Sequence, residues 1–177
     1  MTRPAVHDDP VTDLDRLAEI ADLDLFSERV QARLDEFARR AAERFDLPTG
    51  LVTVVLDAAQ CFAGRYGVAG WMVQAQGTPV EWSFCATSVR TRREYVVPDA
   101  RTDASQKDNP LVTVDGIGCY AGVPLITSRG HVVGNYCVLG TGPRPFTPED
   151  VAELGRMAED VVAEIEASRL STAEGRA

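Results

Sequence analysis

Four cysteines, Cys61, Cys85, Cys119 and Cys137, and two histidines, His7 and His131, carry the capacity of this sequence for nucleophilic, redox or metal chemistry. No Cys-x-x-Cys pair occurs, and neither histidine stands at a ligand spacing from the other or from a cysteine, so no structural metal site is expected. Catalytic redox turnover needs a thiolate in an exposed, electropositive setting with a second thiol in reach. The scatter of the four cysteines predicts instead reduced and mostly buried thiols. The local basic cluster Arg90, Arg92 and Arg93 reads as a solvated helix end. A different chemistry is suggested by Tyr120-Ala-Gly and Gly134-Asn-Tyr, where glycines inside strands sit beside tyrosines. Such glycines mark close approach by a ligand or by another backbone, and the sequence leaves both open.

These residues fall in two strands, Ile117 to Ile126 and His131 to Leu139, joined by Thr127-Ser128-Arg129-Gly130. If Gly122 pairs with Gly134, then Tyr120 pairs with Tyr136 on one face, and Cys119 with Cys137 on the other. Ala121, Val123, Leu125, Val133, Cys137 and Leu139 then form an apolar layer for helices. Earlier in the chain, Leu51 to Leu56 and Cys61 to Tyr66 read as paired strands, and Glu94 to Val97 as a brief one. Val80 to Arg90 reads as a short helix, Asp99 to Pro110 as a loop, and the Gly-rich stretch from Gly67 to Val80 carries no clear pattern.

Helices flank this set. One starts at Thr12 with Leu14 and Leu17 on one face. A stronger one follows Ser27, with Val30, Leu34, Phe37, Ala38, Ala41 and Phe45 at helical spacing. The last begins at Thr147 as N-cap, with Pro148 at the first position and Glu149 and Asp150 in the first turn. Its Val151, Leu154, Ala158, Val161 and Ile165 repeat at steps of three and four, a heptad-like seam that predicts a homodimer through the terminal helices. The fold class is α/β, of the α+β kind: a central antiparallel sheet with helices at both ends of the chain.

At 177 residues the chain is close to one domain by the prior of roughly 150 residues each. It divides into a flexible start over 1–11, a domain over 12–170 and a polar tail over 171–177. Net charge is −9, with 7 basic against 12 acidic groups in residues 1–46 and 3 against 8 in residues 145–177. An acidic chain without a basic stripe is a poor partner for nucleic acid or anionic membrane. Its apolar runs fall short of the roughly 18 residues a membrane span requires. Acids stand where a signal peptide needs an apolar core, which predicts a cytoplasmic protein.

From Leu14 to the last helix the chain resembles a GAF domain of the subgroup found in bacterial sensor kinases and cyclic-dinucleotide enzymes. The resemblance lies in Glu81-Trp-Ser-Phe-Cys-Ala-Thr-Ser-Val, Tyr95-Val-Val-Pro-Asp-Ala-Arg-Thr-Asp, Asp108-Asn-Pro-Leu-Val, Tyr120-Ala-Gly-Val-Pro-Leu, Val133-Gly-Asn-Tyr-Cys-Val-Leu and Pro143-Arg-Pro-Phe-Thr, in that order. It implies five or six antiparallel strands, terminal helices on one face and a ligand pocket with short helices and loops on the other. The Asn-Lys-x-Phe pattern of cyclic-nucleotide GAF domains is absent, as is a Cys-His pair for bilin. The histidines fall off the pocket face, so haem is not expected, and no cofactor is predicted.

The expected function is a signal-sensing module without an output domain of its own or enzymatic activity. It would bind an unknown small molecule and act through dimerisation or a signalling partner. Trp82, Phe84, Cys85, Asp99, Asp103, Tyr120 and Tyr136 are the candidate ligand residues, giving apolar walls with a few polar groups. Trp82 and Phe84 serve equally well as core, and Asp99 and Asp103 as turn caps. Two alternatives stand beside this reading. One is a free methionine-R-sulfoxide reductase using Cys85, against which the loop from Asp99 to Gly116 lacks a cysteine. The other is an adaptor whose pocket is filled.

Overall fold

The computed structural model describes residues 9–170; the polar tail lies outside them, as do residues 1–8 of the expected flexible start. Order begins before residue 12: Val11 is 2 % exposed in a 3-10 turn, Pro10–Thr12. The described residues form strands β1 (Thr49–Val55), β2 (Ala59–Tyr66), β3 (Gly77–Pro79), β4 (Tyr95–Val97), β5 (Cys119–Ile126) and β6 (Val132–Gly140). Their helices are α1 (Leu14–Ala21), α2 (Glu28–Arg44), α3 (Trp71–Ala75), α4 (Cys85–Thr91), α5 (Pro110–Thr113) and α6 (Pro148–Ala167). The strands make one antiparallel sheet in the order β3-β2-β1-β6-β5-β4.

Helices α2 and α6 cover one face. Val30, Leu34, Ala38 and Ala41, at helical spacing, turn the apolar side of α2 onto the sheet. Two glycines seat it: a Cβ at Gly50 would lie 2.0 Å from the Ala38 carbonyl oxygen, and one at Gly64 would lie 2.4 Å from that of Leu34. In α6 the capping box between Thr147 and Asp150 fixes the first turn, with Pro148 following the cap. Leu154, Ala158, Val161 and Ile165 are buried in the core beneath α2 and α6, and Val151, Met157 and Val162 pack against it. The stripe that suggested a dimer seam is thus a sheet-packing face, because a helix lying on a sheet shows the same spacing.

The other face carries α3, α4, α5 and their loops over a second core that includes Val55, Phe62, Phe84, Val89, Tyr120 and Leu139. The expected helix from Val80 to Arg90 is broken in two. A 3-10 turn, Val80–Trp82, ends at Ser83, whose hydroxyl accepts the Ala86 N–H (3.1 Å) at the start of α4. The Gly-rich stretch supplies α3 and β3.

Helix α1 is stitched into the sheet by a buried cation. The β1–β6 ladder runs from Thr49↔Leu139 to Val52↔Tyr136. Beyond it, the Thr53 hydroxyl accepts the Asn135 N–H (3.2 Å). Farther still, Arg16 Nη1 donates to the carbonyls of Val55 (2.7 Å) and Val132 (3.2 Å). The same guanidinium holds Val11 and Pro10 through their carbonyls. No helix among the described residues is long and apolar enough to cross a membrane.

Arg16→Met keeps the stem but leaves these carbonyls without their donor. Urea unfolding should show a loss of roughly 3 kcal/mol or more, since each stranded buried acceptor costs about 1–3 kcal/mol. An unchanged midpoint would mean that the guanidinium is not what closes the gap between β1 and β6.

Candidate functional site

A cavity of about 410 Å³ lies between the sheet and the segments α3, α4 and α5. Leu51 of β1, Phe62 of β2 and Leu139 of β6 form its sheet wall, and Met72, Leu111 and Ile117 its outer wall. Its polar groups include Gln60, Thr78, Asp115 and the trio Cys85, Tyr120 and Cys137; among the described residues no Lys, Arg or His lines it. Across the mouth, Trp71 Nε1 donates to Asp115 Oδ1 (2.8 Å), joining the start of α3 to the segment after α5. Gln60 is held by the Ser83 hydroxyl, which donates to its Oε1.

The register of the β5–β6 hairpin decides what faces this space. Gly122 lies opposite Cys137, not Gly134, a shift of three residues from the expected pairing. An odd shift turns every side chain of β6 to the opposite face. Tyr120 therefore keeps its expected place on the cavity side, but Cys137 and Leu139 join it and Tyr136 is turned away. Tyr136 lies in the core under α2, where its hydroxyl donates to the Phe37 carbonyl (2.5 Å), and burial pushes its pKa up. A β-bulge beside Leu125 and Ile126 contributes to the altered register. Gly134 serves close packing: a Cβ there would sit 1.8 Å from the Thr53 carbonyl oxygen.

The space above Gly122 is not the cavity. Tyr120 folds along its own strand, and a Cβ at Gly122 would meet its hydroxyl at 2.2 Å. The ring packs between Phe84 (5.1 Å between centroids) and Tyr95 (5.9 Å). Its hydroxyl accepts from Asn135 Nδ2 (2.9 Å) and lies 3.1 Å from Cys85 Sγ, which is itself 4.0 Å from Cys137 Sγ. Burial opposes ionisation of Cys85, but hydrogen bonds from Cys137, Thr53 and Tyr120 outweigh it and bring its pKa below the ordinary thiol value. Burial raises Cys137 and Tyr120 well above theirs, and a charge on Cys85 adds to the effect. Cys61 and Cys119 are raised chiefly by burial. All four cysteines are free thiols.

Of the seven residues singled out in the sequence, Phe84, Cys85 and Tyr120 line the cavity and Trp82, Asp99, Asp103 and Tyr136 do not. Trp82 stands outside the lining, edge-on to Trp71 (6.1 Å), and its carbonyl accepts from Asn109 Nδ2. Asp99 caps its own turn through the Arg101 N–H, and Asp103 through those of Ser105 and Gln106. The residues missed include Leu51, Gln60, Phe62, Met72, Asp115 and Cys137. Both faces of β1 are apolar, so alternation gave no sign of Leu51. The spacing of two cysteines 52 positions apart in sequence gave none of Cys137.

The chain belongs to the GAF domain family, whose model matches residues 27–166. It is 32 % identical over 162 residues to a cyclic di-GMP phosphodiesterase of Pseudomonas aeruginosa, matching 90 % of this chain and 27 % of that protein. The chain thus spans about a quarter of that relative's length. This relative bears the name of an enzyme, which overturns the expectation that the chain has no enzymatic role. In fold it is similar to the free methionine-R-sulfoxide reductase of Neisseria meningitidis, solved with its substrate (TM-score 0.64, 19 % identity, 86 % of this chain and 85 % of that one). It is equally similar to the GAF domain of an Acinetobacter phosphoenolpyruvate-protein phosphotransferase (TM-score 0.64, 15 % identity, 87 % and 92 %).

Tyr120→Phe removes one of the donors to Cys85, so the thiol pKa should rise; thiolate absorbance followed against pH measures it. Tyr136→Phe loses one hydrogen bond to α2, about 1 kcal/mol, and should leave that titration unchanged. Equal titration shifts in the two variants would contradict the placement of these rings on opposite faces.

Proposed function

We propose that this chain is a sensing module whose cavity takes a small, largely apolar molecule, uncharged or carrying a single amine. The observation that carries the reading is the lining that the described residues give: apolar walls, a few hydrogen-bonding groups and one carboxylate, with no cation. Such a site rewards burial of an apolar body and offers nothing to neutralise a phosphate or carboxylate. The relative named a cyclic di-GMP phosphodiesterase supports an output in the control of cyclic di-GMP breakdown. The same lining argues that the cyclic dinucleotide, with its two phosphates, is not the molecule held in this cavity.

A route from cavity to helices exists in one dipeptide. Cys137 faces the cavity, while its neighbour Tyr136 is bonded to the backbone of α2. A ligand that moves β6 acts on both. Two discrete positions of this strand would be the physical basis of signalling.

Indole and naphthol serve as neutral probes of the cavity, with cyclic di-GMP as the anionic comparison. The neutral probes should raise the thermal midpoint by several degrees at saturating concentration, through preferential binding to the folded state. Cyclic di-GMP should not. Ile117→Trp, which fills the cavity from its outer wall, should abolish the shift while retaining a cooperative melt. Stabilisation by cyclic di-GMP, or a neutral-probe shift that survives Ile117→Trp, would refute the proposal.

A further inference from the structure

Cys85 and Cys137 come from different elements, the first residue of α4 and the middle of β6, yet their sulfurs lie 4.0 Å apart. Both line the cavity. A disulfide has its sulfurs about 2.05 Å apart, so each must approach by about 1 Å, within the reach of side-chain rotation. Cys119 lies elsewhere: it pairs with Gly140 on the other side of the β5 backbone from Tyr120. Cys61, on β2, is the half-buried member of the four. The proximity of two thiols on a cavity wall is thus particular to this pair.

We propose that Cys85 and Cys137 form a reversible oxidation site, a dithiol that hydrogen peroxide entering the cavity converts to a disulfide. The inference stands whether or not the cavity also holds a neutral ligand. Cys85, with the neighbouring Tyr120 hydroxyl, is the attacking sulfur. Its thiolate attacks one peroxide oxygen and the O–O bond breaks. The departing hydroxide takes a proton and leaves as water, and Cys85 becomes a sulfenic acid. Cys137, 4.0 Å away, then attacks the Cys85 sulfur as the S–O bond breaks and a second water departs. Two thiols lose two electrons and two protons, and the peroxide accepts both.

The product changes the site. The new bond ties α4 to β6 across the cavity wall and replaces two hydrogen-bonding thiols by an apolar bridge. Tyr120 loses its sulfur partner and keeps Asn135. A thiol reductant restores the dithiol.

The test uses the full chain in its reduced form, treated with hydrogen peroxide, quenched, then unfolded and alkylated. The expected result is a monomer lighter by two hydrogens before alkylation, with a single Cys85–Cys137 link in the peptide map and Cys61 and Cys119 alkylated. Reductant should reverse it, and Cys61→Ser should leave it unchanged. In Cys137→Ala, a small apolar replacement that keeps the fold testable by its thermal melt, oxidation should stop at a Cys85 sulfenic acid that dimedone traps. Loss of Cys61 in place of the pair would overturn the proposal. So would survival of both thiols in native protein that oxidises once unfolded.

Discussion

The pairing of β5 with β6 is the constraint on which the site depends. With Gly122 opposite Cys137, the even-numbered residues of β5 and the odd-numbered residues of β6 share the cavity face. Tyr120, Cys137 and Leu139 are then neighbours, and Tyr136 is left to bind α2. A hairpin one residue out of step would bury the thiol of Cys137 under the helices and aim a phenol into the cavity. The rest follows this choice. Tyr120 can lie over Gly122 because that residue has no side chain, and Asn135 reaches both Ser88 and Tyr120 because it shares their side of the sheet.

The chemistry that results is that of a secluded, weakly polar space. A thiol pair and a phenol share protons among themselves, without a cation or a carboxylate in contact. Burial keeps two of the three protonated, which leaves Cys85 as the place where charge would first appear. Aspartates that seemed suited to ligand contact instead hold the shape of the loop beside α5. Their part is indirect: the turn that Asp103 caps carries Gln106, which donates to the Tyr95 hydroxyl (2.9 Å), and Tyr95 packs against Tyr120.

Those features were legible that depend on local chemistry. The cap at Thr147, the start of a helix after Ser27, the glycine-punctuated strands and the aromatic Phe84 and Tyr120 each follow from residue type and near-neighbour spacing. What depends on long-range pairing was not. Every residue of β6 is buried, so no alternation of polar and apolar residues marks which face is which, and the strand could be registered in either phase. The segment from Gly67 to Val80 yielded no period because α3 is five residues long and β3 three. Those elements and the loop before them help wall the cavity, so its position could not be placed from sequence. The seam of α6 was visible, but a helix shows the same stripe to a sheet as to a second helix.

The two ways in which helices are attached give the domain an uneven response to its solvent. Helices α2 and α6 are joined at their exposed rims by ion pairs, Arg33–Glu164 and Arg44–Glu153, which added salt weakens and acid neutralises. Helix α1 is joined to the loop after β5 and to the end of α6 through Glu19, which accepts from Thr127 and Arg169. It is joined to the sheet through Arg16, 3 % exposed, whose partners are carbonyl dipoles. A guanidinium does not give up its proton in a protein, and a carbonyl has none to gain. Ions in solution cannot approach the buried contact closely enough to screen it. Brine or acid would therefore loosen the outer helices from each other while leaving the hold of Arg16 on the centre of the sheet intact.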